Sequence, residues 1–239
     1  MNGIKLLPGL EITREGGAWL PESGTYVVAD LHLGYEAAAR REGAGMPSVQ
    51  REVIMRRLGR IVERYSPDRF IVNGDLKHTY DRNLRQEWDE ILEIIWFLRS
   101  SVKKVDVLRG NHDNFLATIL SREGIKLKNS AKVAGIAFAH GHETVKRSGW
   151  LVIGHEHPFI KTREPLGAGI SLPCFLWSRK LKMVVLPPLS PIAFGRNVLP
   201  PEAEPLSPMI ESFSSFEAAA MTEKGLLRFG KVAALGAMG

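Results

Sequence analysis

A single cysteine in 239 residues, Cys174, excludes a disulfide framework and a thiolate cluster. Metal chemistry in this chain must therefore rest on nitrogen and oxygen donors, and a reducing, cytoplasmic setting is expected. No apolar run approaches the roughly 20 residues that a membrane-spanning helix needs. The opening MNGIKLLPGLEI is too short in apolar residues for a secretory signal. A soluble protein without membrane contact is expected. Excess acid is lacking too: 32 Lys and Arg face 26 Asp and Glu, giving a net charge of +6. Such a balance attracts phosphate polymers modestly. Basic residues gather at Arg40, Arg41, Arg51, Arg56, Arg57, Arg60 and Arg64, but a solvated helix face explains them equally well.

A hydrophobic content of 44% is enough for a full core. The stretches Thr25 to Asp30, Arg69 to Asp75 and Val105 to Asn111 are short, apolar and β-branched, and each ends in a polar loop. They read as buried strands of a largely parallel sheet. Helical spacing fills the gaps between them, from Ser48 to Tyr65 and from Leu84 to Leu98. Strand, helix, strand, helix, strand is the order of crossover units, which gather the carboxyl ends of the strands at one edge. Beyond Lys126 the pattern changes to short strands at Lys132 to Ala139, Trp150 to Gly154, Cys174 to Trp177 and Met183 to Leu186, which predicts a second, mainly antiparallel sheet packed on the first. Residues 187–208 hold seven of the fourteen prolines and read as a tethered surface loop. Residues 216–230 read as a terminal hairpin turning at Glu223-Lys224-Gly225. The whole chain, 1–239, is expected to form one domain.

All seven histidines lie between His32 and His157, in an ordered series of motifs: DLH at Asp30 to His32, NGDLKH at Asn73 to His78, GNHD at Gly110 to Asp113, AHGH at Ala139 to His142, and GHEH at Gly154 to His157. Imidazoles recurring beside Asp, Asn and Gly at strand ends suggest a metal site assembled from several loops. Asp30 and His32, two apart at a strand end, can point to the same side and grip one cation. Asp75 supplies a carboxylate whose two oxygens can bridge two metals. Asn111 offers a neutral oxygen, and His140, His155 and His157 offer imidazoles. His140 and His142 compete for one ligand place. Asp113 reads as the cap of the helix that follows, and Arg109 serves either a substrate phosphate or the sheet end. Tyr35 and the pair Arg40-Arg41 line the mouth or lie on a solvated helix.

In this order DxH, GD, GNHD, H and GHxH resemble the calcineurin-like metallophosphoesterase superfamily across Asp30 to His157. DLHLG, GDLKH and GNHD look closer still to the SbcD-related (ICC-like) phosphoesterases. The resemblance implies an α/β/β/α sandwich of two packed mixed sheets flanked by helices, with the metal site at the C-terminal edge of the sheet. It assigns Asp30, His32, Asp75 and His157 to one divalent ion and Asp75, Asn111, His140 and His155 to the other, which favours His140 over His142. Manganese is expected; iron, zinc, nickel and magnesium also suit such donors. The implied reaction is in-line attack on a phosphate ester by a metal-bridging hydroxide, with His112 as general acid or transition-state stabiliser. Many relatives carry Asp three residues after the bridging Asp, where it orients the catalytic His. This chain has His78 there, as the SbcD-type nucleases tend to have, and this points to a phosphodiesterase or nuclease with His78 on a second phosphate oxygen. A phosphomonoesterase or small-nucleotide hydrolase is the alternative, and a non-catalytic interaction scaffold is the remaining one.

Overall fold

The computed structural model describes residues 3–163 and 169–236. The first sheet runs in chain order through β1 (Gly3–Leu7), β2 (Leu10–Thr13), β3 (Ala18–Leu20), β4 (Thr25–Val28), β5 (Arg69–Asn73), β6 (Lys104–Leu108) and β7 (Leu127–Lys128). From β4 onward neighbouring strands are parallel, whereas β1 to β4 form an antiparallel meander that the periodicity does not reveal. Its strands are too short to show a repeat.

The remaining strands are β8 (Ser130–Val133), β9 (Ile136–Ala139), β10 (Leu151–Ile153), β11 (Pro158–Arg163), β12 (Gly169–Ser178), β13 (Met183–Val185), β14 (Arg196–Asn197), β15 (Glu217–Thr222) and β16 (Gly225–Lys231). They make a mixed sheet ordered β14-β11-β12-β13-β10-β9-β8, with β15 on β12 and β16 on β15. Most pairs are antiparallel, but β10 at the centre is parallel to both β9 and β13. Lys132 to Ala139, expected as one strand, is instead a hairpin. Ala134 and Gly135 both have positive φ, the geometry of the two-residue turn that matches strand twist. The terminal hairpin turns at Glu223 and Lys224, as the sequence suggests.

Helices α1 (Tyr35–Arg41), α2 (Gln50–Tyr65), α3 (Arg85–Ser101) and α4 (Leu116–Arg122) accompany the first sheet. Ile54, Leu58 and Ile61 of α2 and Ile91, Ile95 and Leu98 of α3 bury one stripe of each helix against Tyr26, Val28, Phe70, Val72 and Val107. Helix α2 stops at Tyr65 because Ser66 turns left-handed and Pro67 cannot continue the ladder. The opposite face of this sheet presents Ile12, Val27, Ile71 and Leu108 to Phe138, Val152, Phe175 and Val184 of the second sheet. The far face of the second sheet is covered by Ile210, Phe213, Phe216 and the short helix α5 (Val232–Gly236).

Register is what places the site. Thr25 pairs with Arg69 and Arg69 with Lys104, so β4, β5 and β6 end level and deliver Asp30, Asp75 and Asn111 to one edge. In the second sheet β9 and β10 also end together, bringing His140 beside Gly154. A hydrogen bond from Asn73 Nδ2 to the Val152 carbonyl (3.2 Å) joins the two edges. The proline-rich segment begins inside the molecule, contrary to a surface loop: Pro187 to Ser190 are buried, and Leu189 and Ser190 donate their N–H groups to Ala29 and Asp30.

Phe138 has no exposed surface and fills the space between the sheets. Phe138→Ala is expected to lower unfolding stability by about 3–5 kcal/mol in urea titrations. A loss below about 1 kcal/mol would mean that the sheets do not pack through this side chain.

Candidate metal centre

Five of the seven candidate donors, Asp30, His32, Asp75, His155 and His157, have φ between 43° and 68°. This left-handed region is strained for side-chain-bearing residues, though Asp, Asn and His tolerate it best, and such strain concentrates at functional sites. It also corrects the strand-alternation argument. Strand β4 ends at Val28, so Asp30 and His32 share a direction because the chain turns at each of them.

Supports hold these turns in place. Asp30 N–H donates to the Gly74 carbonyl (3.1 Å) and His32 N–H to that of Asp75 (2.9 Å). The Gln50 amide donates to the Leu31 and His32 carbonyls and to Ser190 Oγ. Glu36 in turn accepts the N–H groups of Val49 and Gln50 at 2.8 Å, capping α2 from a neighbouring helix. In the next loop Glu87 accepts from His78 and Thr79, and buried Lys77 lies 3.4 Å from Glu87. Gln50, Glu36, Glu87 and Lys77 escape sequence reading because a polar residue on a helix looks solvated until its burial is known.

Two groups of donors that include a carboxylate converge. Atoms of Asp30, His32 and His157 lie within 4.8 Å of one another, as do those of Asp75, His140 and His155. Asp75 Oδ2 stands between the groups, 3.7 Å from His32 Nε2 and 3.3 Å from His140 Nε2. Its Oδ1 is engaged elsewhere, accepting the His112 N–H at 2.9 Å, so a single oxygen faces both groups. Asn111 Oδ1 reaches His140 Nε2 at 3.1 Å. His142 joins neither group.

The imidazoles are oriented from behind. His140 Nδ1 meets the Asn73 carbonyl and His157 Nδ1 that of Phe194, both at 3.2 Å, which turns each Nε2 toward the carboxylates. His112 Nδ1 likewise donates to the His78 carbonyl at 2.6 Å. Orientation of His112 thus comes from the main chain at position 78, so no carboxylate side chain is needed there. The His78 ring is free of that duty and stacks on His112 at 5.6 Å.

Burial is the largest influence on these groups, and neighbours decide its outcome. It pushes His32 down to about 3 and His155 to about 4, leaving neutral imidazoles with lone pairs to offer. Burial also opposes the charges on Asp30 and Asp75, but His157 and His140 hold the former below the usual carboxylate range, and His140 and His32 hold the latter well below it. His140 is raised to about 9, the pull of Asp75 and Asp30 outweighing burial. Two ionised carboxylates in so buried a place call for compensating positive charge, which protonated His140 and His157 supply and which a bound cation would supply in their place. Imidazole nitrogens, carboxylate oxygens and an amide oxygen are donors suited to divalent first-row ions, so the residues fit such ions.

Asp113 does not cap α4. It is fully buried, and its oxygens accept from Lys77 N–H (3.2 Å) and Gly110 N–H (2.8 Å), tying the GNHD loop to the GDLK loop. Burial and then Asp75 raise it to about 7. Arg109 lines a smaller opening beside His142, while the cavity over the donors, of about 460 Å³, holds His32, Asp75, Asn111, His112, His155 and His157. Arg40 turns away to Met46, Ser48 and Gln86. Tyr35 packs on His78 with ring centroids 4.5 Å apart.

Fold and donors together describe a metal-dependent phosphoester hydrolase. The sequence pattern of the calcineurin-like phosphoesterases matches residues 25–156, and the chain belongs to that family. No curated protein matches it. Among solved structures, the nuclease MPE of Pseudomonas putida superimposes with a TM-score of 0.68 at 18% identity, covering 95% of this chain and 98% of that one. Yfce, a phosphoesterase from E. coli, aligns at 12% identity over 88% of this chain and 94% of that one, with a TM-score of 0.43.

Gly110 packs so tightly that a Cβ there would overlap the Asp75 carboxylate and backbone nitrogen. Gly110→Ala should displace Asp75 and weaken Mn²⁺ binding by roughly tenfold or more, with the circular dichroism of the fold retained. Unchanged binding would show that Asp75 is not fixed by this loop.

Proposed function

We propose that the chain is a phosphodiesterase acting on nucleic acid, using two divalent ions, with manganese favoured. The observation that carries the reading is Asp75 Oδ2 standing between two donor groups, with His112 beside them. In this reading Asp30, His32, Asp75 and His157 hold one ion, and Asp75, Asn111, His140 and His155 the other. Ions bound there would lower the pKa of water and neutralise charge on the phosphoryl oxygens.

The chain's own residues do the rest. His112, held through Nδ1 by the His78 carbonyl, presents Nε2 to the cleft and donates a proton to the leaving oxygen. His78, pushed down to about 4 by burial and by His112, is a neutral imidazole that can donate a hydrogen bond to a second phosphate oxygen. A carboxylate in its place would repel a diester anion. Arg109 serves a phosphate only at the His142 side of the centre. The fold shared with a nuclease and the net charge of +6 support a nucleic-acid substrate.

With Mn²⁺ the protein should hydrolyse bis-nitrophenyl phosphate faster than nitrophenyl phosphate and release fragments from single-stranded DNA. The reverse preference, with no cleavage of DNA or RNA, would make it a monoesterase or small-nucleotide hydrolase. Asp75→Asn should abolish turnover. His112→Ala should keep its metals and lose about 10²- to 10⁴-fold in rate, and full activity in that variant would refute the role given to His112.

A further inference from the structure

Phe194 is 82% exposed, more than any other large apolar side chain among the described residues. Its backbone is nevertheless held firmly. The Phe194 carbonyl accepts from His157 Nδ1 and the Arg196 N–H donates to the His157 carbonyl (2.9 Å), so residues 194–196 form a strap fastened on both sides to one candidate ligand. Gly195 lets the strap lie flat, because a Cβ there would fall inside the Phe159 ring. The ring is therefore exposed on an anchored stretch of backbone.

It lies on the wall of the cavity that contains His32, Asp75, His112 and His157. Tyr35 stands beside it, with centroids 6.3 Å apart at 54°, and Tyr35 packs in turn on His78 and His78 on His112. A line of flat rings thus leads from solvent to the catalytic histidine. Arg196 lines the same cavity, and its buried Nε has no hydrogen-bond partner among the described residues. The nearby carboxylate of Glu156 is occupied by the N–H groups of Leu206 and Ser207.

We propose that Tyr35, Phe194 and Arg196 form a nucleotide subsite at the mouth of the metal centre: the rings take one unpaired base next to the scissile phosphate, and the guanidinium takes the adjoining phosphodiester. This rests on the diester reading above. Aromatic rings bind base faces whatever the base, and guanidinium groups suit phosphate oxygens. In a duplex those faces are covered by neighbouring pairs, so the subsite selects single strands. A partner that reaches Phe194 also reaches the metal donors, which is the placement a substrate subsite requires.

The test compares kcat/KM on a single-stranded thymidine oligonucleotide and on one of equal length built from abasic residues. The native chain should favour the strand with bases. Phe194→Ala should lose roughly 5- to 100-fold on that strand and little on the abasic one, with Phe194→Trp restoring the preference. Arg196→Ala should raise KM on both and flatten the salt dependence by about one phosphate contact. In a His112→Ala background, 2-aminopurine in the strand should be quenched on binding, and adding Phe194→Ala should remove the quenching. Equal cleavage of the two strands by the native chain, equal losses in Phe194→Ala, or no quenching would overturn the subsite even with bis-nitrophenyl phosphate hydrolysed. Failure to hydrolyse that compound as well would instead overturn the diester reading.

Discussion

The Asp75 carboxylate is the constraint on which the centre depends. It is buried, one oxygen is pinned by the His112 N–H, and the other is directed between His32 and His140. The same contact that aims Asp75 also positions the backbone of His112, so the buried charge and the proposed proton donor are set by one interaction. Behind it, Asp113 binds the N–H groups of Gly110 and Lys77, and Gly110, having no side chain, makes the room that Asp75 occupies. Such support is how a buried charge keeps its direction against the pull of solvent.

The site also depends on both sheets. Asp30, His32, Asp75 and Asn111 follow strands of the first, whereas His140, His155 and His157 follow strands of the second. Each donor group contains residues from both, so its geometry is only as rigid as the interface packed by Ile71, Leu108, Phe138 and Val152. Five donors in left-handed conformations store strain of about 1–3 kcal/mol each at most, and the hydrogen bonds from Gln50 and between the DLH and GD loops offset it.

The side chains that converge were legible in the sequence because their chemistry is local: Asp, Asn and His stand beside glycine at the ends of β-branched runs. The parallel strands were legible as short continuous apolar runs, and α2 and α3 through their long apolar periods. What escaped depends on distant partners. Gln50 looks like any helix surface residue until the Leu31 and His32 carbonyls are found against it. Asp113 looks like a cap because the loop it ties lies 36 residues away in sequence. The role proposed for Phe194 was hidden in a proline-rich segment, where an aromatic followed by glycine and arginine was the one signal available.

In the proposed centre Asp75 is shared between two ions. The most direct test is the number of Mn²⁺ bound per chain, measured by equilibrium dialysis and elemental analysis on metal-stripped protein. Two ions per chain are predicted, falling to one in His155→Ala and to less than one in Asp75→Asn. A native stoichiometry of one or none, or two ions still bound in Asp75→Asn, would contradict the shared carboxylate.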